Sequence, residues 1–193
     1  MSSISKVEKE SIRKKTAMPM LALGIGSILM LFAGLTSAII VRQGEGNWLK
    51  FDMPRAFFLS TAVILISSLT MIRAVNAVKN NDSKKAVMLL GATFLFGISF
   101  ACTQVSGWYA LNSQNVYFTG RTANAAGSFF FMLTWLHLMH MVGGLICLIA
   151  SGINAARNKY TPENYLGLKL TAVYWHFLGI LWLYLFWFLS YMN

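Results

Sequence analysis

The chain has 193 residues, 56% of them hydrophobic and only 11% charged, with a formal net charge of +10. A soluble domain averages about 25% charged residues. Twenty-two charges are too few to clothe this much apolar surface, which excludes a soluble enzyme, a nucleic-acid binder and a disordered segment. The positive charge lies beside long apolar runs, so it belongs to a membrane surface.

Residues 1–16 read as a basic cytoplasmic tail, surface-lying or mobile, and residues 17–193 as a membrane domain. A membrane helix needs about 20 mostly apolar residues, and five runs satisfy this: about 17–41, 55–78, 86–111, 125–156 and 169–192. The fold class is therefore all-α, polytopic, with five transmembrane helices. The first run is too long for a signal-peptide core of about 7–15 residues and reads as a retained anchor. Asp52 and Pro54 are expected to cap and open the second helix, and Asp82 with Ser83 the third. The fourth helix, about 48 Å long at about 1.5 Å per residue, exceeds a hydrocarbon core of about 30 Å and should tilt or project. Thr161, Pro162 and Glu163 predict a fifth helix beginning near Pro162. There is no internal repeat and no room for a second domain.

Lysine and arginine set the orientation. Lys6, Lys9, Arg13, Lys14, Lys15, Arg73, Lys79, Lys84, Lys85, Arg157, Lys159 and Lys169 fall on one side; Arg42, Lys50, Arg55 and Arg121 fall on the other. Twelve against four places the N-terminus in the cytoplasm and the C-terminus outside, in the periplasm.

Polar groups inside a membrane are costly and tend to mark function. All three histidines, His137, His140 and His176, are intramembrane, and the first two share a helix face. They read either as metal or heme ligands or as hydrogen-bonding groups toward a helix or a lipid, and the missing second shell favours the latter. All six carboxylates (Glu8, Glu10, Glu45, Asp52, Asp82, Glu163) lie outside the runs, which argues against an independent ion-coupled transporter. Arg73, inside the second run, reads as a snorkelling cation that meets a phospholipid phosphate. Gly24, Gly26, Gly91, Gly97, Gly143, Gly144 and Gly152 mark positions where helices are expected to approach closely. Cys102 and Cys147 read as small packing residues. Between Tyr174 and Tyr191 the fifth helix carries nine aromatic residues all round, some of which must face lipid.

Residues 129–144 read FFFMLTWLHLMHMVGG and residues 174–186 read YWHFLGILWLYLF. This pair resembles the subunit III family of heme–copper respiratory oxidases, which shows F-F-x-L-T-G-x-H-G-x-H-V-x-x-G followed by Y-W-H-F-V-D-x-V-W. The matching positions include Phe130, Leu133, Thr134, His137, His140, Gly144, Tyr174, Trp175, His176, Phe177 and Trp182. The third run is similar to the family's L-G-x-x-F-x-x-x-Q-x-x-E-W at Gly91, Phe94, Gln104 and Trp108. The second run is similar at Ser60, Thr61, Ser67 and Ser68. The resemblance covers roughly residues 53–192. It departs at Gly107 and Gly179, where the family pattern has an acid, and at Trp135 and Leu138, where it has glycine.

The resemblance implies a short, five-helix bacterial form in the plasma (inner) membrane, with helices in two bundles around a lipid cleft. It implies a non-catalytic subunit that supports an oxygen-reducing, proton-pumping subunit I. Subunit I would be the direct partner, with subunit II, a small subunit IV and a larger respiratory supercomplex beyond it. Heme and copper would sit in the partner subunits; this chain would hold structural phospholipids, no metal and no catalytic residue. Arg73, His137, His140, Trp175 and His176 are the expected lipid-binding residues. The alternatives are subunit III of a quinol oxidase, a nitric oxide reductase accessory subunit, and a small bis-histidine heme protein using His137 or His140 with His176, which would show a Soret band.

The charge split predicts that a periplasm-active reporter is active at the C-terminus and silent at the N-terminus. The reverse pattern would overturn the orientation.

Overall fold

The computed structural model describes residues 6–46, 48–120 and 124–192, with the side chains of residues 6–11, 13 and 14 excepted. The side chains of Lys6, Lys9, Arg13 and Lys14, and all of Arg121, therefore lie outside the described set. Five α-helices follow in order: α1 Lys6–Gly44, α2 Arg55–Lys79, α3 Ser83–Ser113, α4 Ala125–Ala156 and α5 Leu166–Met192. All five are long and apolar enough to cross a membrane. The expected fourth span coincides with α4. The first does not coincide with α1: the helix runs back through Pro19 to Lys6, so the backbone of the basic tail continues it.

The helix starts differ in chemistry from expectation at two places. Pro54 is itself the N-cap of α2, and no side chain caps that helix, so Asp52 has no capping role. Thr161 to Asn164 form a tight turn instead of a helical one: Asn164 N–H bonds the Thr161 carbonyl at 3.0 Å and the Thr161 hydroxyl at 3.2 Å, and α5 begins only at Leu166. Once the Thr161 hydroxyl serves this turn, it is not free to cap a helix. Asp82 caps α3 as expected, accepting from Lys85 N–H at 3.0 Å. Asn124 caps α4 through Ala126 N–H at 2.9 Å.

Three helix ends share one device. Asn81, Asn115 and Asn158, each two residues past α2, α3 and α4, have φ of 58°, 60° and 50°. Around them the chain folds back with two bonds, as in Asp82 N–H to Ala77 O at 2.9 Å and Asn81 N–H to Val78 O at 3.0 Å. This is the Schellman pattern, which satisfies end carbonyls and needs a residue at ease in the left-handed region. Asparagine tolerates that region better than other side chains.

Buried positions in α3 fall at Ala86, Leu90, Thr93, Gly97, Phe100, Gln104, Gly107 and Leu111, an unbroken alternation of four and three. Those in α2 follow the same rhythm from Phe57 through Ser60, Ile64, Ser67 and Met71 to Ala74. Such a seam lets two helices pack along their whole length. α2 packs on α3 and α5, and α4 packs on α3 and α5, so α2 to α5 close into a ring. α1 lies outside this ring and, among the described residues, packs on α4 and α5. The division is thus four helices plus one, and what the resemblance implied as a second bundle is here a single helix. Cys102 and Cys147 are exposed on outward faces, so neither packs the interior.

Replacing Asn158 by Gly should leave stability unchanged or slightly raised. Replacing it by Val should cost about 1–2 kcal/mol, the penalty of a left-handed β-branched residue, read by thermal unfolding in detergent.

Candidate functional site

With lipid outside, apolar burial gives helices little reason to associate; close packing and interhelical hydrogen bonds do that work. The ring interior shows both. Trp175 of α5 donates its indole N–H to Ser67 Oγ of α2 at 2.9 Å. Its ring fills the space left by two glycines: a Cβ on Gly97 of α3 would lie 2.7 Å from Trp175 Cη2, and one on Gly144 of α4 would lie 3.3 Å from the same ring. Trp182 donates to Thr61 Oγ1 at 3.0 Å, and Trp108 of α3 donates to Thr134 Oγ1 of α4 at 3.0 Å. Gln104 Nε2 donates to Ser60 Oγ at 3.0 Å. Toward the other end, Thr70 and Thr93 share a hydrogen bond, and so do Ser151 and Thr171, each at 2.8 Å.

The hydroxyls are satisfied twice over. Ser60 and Thr61 donate back to the Phe57 carbonyl at 2.8 Å, and Thr134 donates to the Phe130 carbonyl at 2.9 Å. Each can therefore accept from a neighbouring helix while spending its own proton locally. Sequence reasoning singled out the glycines and histidines and missed these indole–hydroxyl pairs. A signal was present, since each tryptophan here needs a partner for one buried N–H and the apolar spans offer few acceptors besides Ser and Thr.

The five expected lipid-binding residues do not line one cleft. Trp175 and His137 are fully buried in the ring. Arg73 is exposed on the outward face of α2, beside exposed Leu69 and Ile72. His176 is half-buried, its Nδ1 3.2 Å from Ser68 Oγ of α2. His140 is half-buried toward α1; its Nδ1–H donates to the Leu136 carbonyl at 2.7 Å, and the Phe32 ring lies edge-on at 5.8 Å. The Phe32 ring also meets His137 at 6.4 Å. α1 is tied to α5 by Tyr184 O–H to Thr36 Oγ1 at 3.2 Å and by Gln43 Nε2 to the Met192 carbonyl at 3.2 Å. Among the described residues no group of three or more His, Cys, Asp or Glu converges.

The expected close approaches sort cleanly. Gly97 and Gly144 receive the Trp175 ring, and Gly143 faces the Tyr174 hydroxyl, while Gly24, Gly26, Gly91 and Gly152 face open space. Gly107, at the position of a family acid, was not among them. A Cβ there would lie 2.6 Å from the Phe57 ring, which is packed edge-on against Phe130. The aromatics of α5 divide likewise: Trp175, Trp182 and Phe188 are buried, whereas Trp187 and Tyr191 stack on each other in the open near the helix end.

Fold and interior together define a class: a multi-pass helical membrane protein whose buried polar groups join helices and whose carboxylates all stand outside the apolar spans. Residues 50–193, which include the whole α2–α5 ring, match the family described as Cytochrome c oxidase subunit III. A protein of Nocardia farcinica (strain IFM 10152), described as probable cytochrome c oxidase subunit 3, is 32% identical over 172 residues, 84% of this chain and 81% of its own length. One of the same description from Mycobacterium tuberculosis (strain CDC 1551 / Oshkosh) is 30% identical over 168 residues, again 84% and 81%. The Rickettsia bellii (strain RML369-C) relative is 33% identical over 138 residues, 70% of this chain but 47% of that longer protein. The chain belongs to the cytochrome c oxidase subunit III family.

Gly97→Ala should cost about 1–3 kcal/mol, because Trp175 is pinned by Ser67 and Gly144 and cannot withdraw. Gly91→Ala, into open space, should be neutral or stabilising by up to about 1 kcal/mol. Unfolding in mixed micelles measures both, and equal effects would refute the wedge.

Proposed function

We propose that this chain is the non-catalytic subunit III of a heme–copper terminal oxidase of the cytochrome c oxidase type, in a bacterial inner membrane. It supports the subunit that reduces oxygen and moves protons. The observation that carries this reading is the family match over residues 50–193, the stretch that builds the closed ring. The interior chemistry agrees with a supporting role. Its buried indole N–H groups are committed to hydroxyls of neighbouring helices, and the spans hold no carboxylate that could relay a proton. In this reading subunit I is the direct partner, subunit II completes the core, and the hemes and copper belong to those chains.

Lipid contact falls to the outer surface. Arg73 stands exposed among aliphatic side chains on α2. A long cationic side chain in such a place reaches toward headgroups and pairs with a phosphate. Trp187 and Tyr191 suit the interface at the other side of the membrane. The orientation, N-terminus inside and C-terminus outside, follows from the positive-inside bias.

A tag on this chain should bring down a partner carrying heme and copper. A deletion strain should retain that partner's heme spectrum while the oxidase loses activity sooner during turnover. Native mass spectrometry should show one lipid fewer on the Arg73→Ala complex. Purification of the tagged chain without any heme-bearing partner would reject the proposal.

A further inference from the structure

Among the described residues, three buried side-chain polar atoms have no hydrogen-bond partner: Oε1 of Gln104 and both ring nitrogens of His137. Two residues on two helices hold all three, and the helices bring them to one height. Trp108 of α3 bonds Thr134 of α4, while Gly97 of α3 faces Leu145 of α4, so the pair runs antiparallel. One turn from Trp108 along α3 is Gln104. One turn from Thr134 along α4 is Leu138, next to His137. Both side chains are fully buried. The Gln104 amide is oriented by its Nε2 bond to Ser60, which leaves Oε1 directed away from that hydroxyl. The His137 ring is walled by Phe32 at 6.4 Å, Phe100 at 5.9 Å and Trp182 at 5.3 Å, none of which offers it a hydrogen bond.

A neutral imidazole carries one N–H donor and one bare nitrogen; an amide oxygen only accepts. Buried polar groups are nearly always paired, and in a low-dielectric interior leaving them bare is costly. We propose that this layer of the ring is a binding site for a buried water. Its oxygen accepts the His137 N–H, and one of its hydrogens donates to Gln104 Oε1. The donor set suits water: one neutral ring and one amide, with no charge to hold an ion. A buried water needs two to four polar partners. The ring supplies them here, and among the described residues every other buried side-chain polar atom is already paired. The site would link α3 to α4 at the level where Gln104 already links α3 to α2.

Solid-state NMR of the full chain in liposomes, with 15N-labelled histidine, tests this. The expected result is a His137 ring nitrogen correlated with a slowly exchanging water proton, and loss of that correlation in Gln104→Met while the helical signal persists. No water correlation in the unsubstituted chain, or one indifferent to Gln104→Met, overturns the proposal. A density map of the unsubstituted protein that resolves waters gives a reading independent of any variant. A peak within hydrogen-bonding distance of both groups supports the site. A direct bond between His137 and Gln104 overturns it.

Discussion

All four helices of the ring meet at one side chain. Trp175 is rooted in α5, bonded to Ser67 of α2, and pressed between Gly97 of α3 and Gly144 of α4. In water such a contact would add to a larger apolar driving force. In a bilayer that force is nearly absent, because lipid is as apolar as the helix surface. An interhelical hydrogen bond in a membrane is worth about 0.6 kcal/mol on average, so Ser67 alone does not hold the ring. The two glycines matter at least as much: they let a large ring touch two backbones, and dense contact is what lipid cannot match. The other indole–hydroxyl pairs repeat the principle on either side, Trp182 with Thr61 and Trp108 with Thr134.

The same constraint explains the ends. A chain leaving a membrane helix must satisfy its last carbonyls within a few residues, or drag bare backbone through the interface. The Schellman turns at Asn81, Asn115 and Asn158 do so within five residues. The connection between α2 and α3 is therefore only residues 80–82. A connection that short holds α2 and α3 side by side and lets their matched four-three seams run the full length.

The spans were legible because each is set by a one-dimensional quantity, the length of an apolar run, and the expected run of about 125–156 coincides with the helix α4. The family was legible because its motif positions are the contacts themselves. Trp175, Thr134, Trp108, Gln104 and Gly144 bond or pack across helices, so they are specified by partners elsewhere in the chain. What could not be read is direction. Composition places nine aromatics on α5 but cannot say that Trp182 turns inward while Trp187, five residues on, turns out. Nor can it separate Gly97 from Gly91, since the difference lies in whether a neighbouring ring arrives. Arg73, His137 and Trp175 were grouped by being polar or amphipathic in a span. Burial separates them, and of the three only Arg73 is exposed. The missed start of α5 has another cause: Thr161, Pro162 and Glu163 fit a helix start and a tight turn equally well, and Asn164 decides for the turn.

α1 stands apart in each respect. It lies outside the matched stretch of residues 50–193, packs among the described residues on α4 and α5, and keeps Met20, Leu23, Met30, Ile40 and Val41 exposed. Among its described side chains the buried positions, Phe32, Thr36 and Ile39, fall in the half near its C-terminus, where Tyr184 and the Met192 carbonyl also engage it. A helix held along one end adds a surface more than it adds to the core. Within that half Phe32 of α1 closes over His137 and His140, so the ring nitrogens of His137, which lack partners within the ring, lie beneath a side chain of α1. Packing and cover are thereby assigned to different helices: α2 to α5 hold one another by filled contacts, and α1 lays one aromatic ring over His137 and His140.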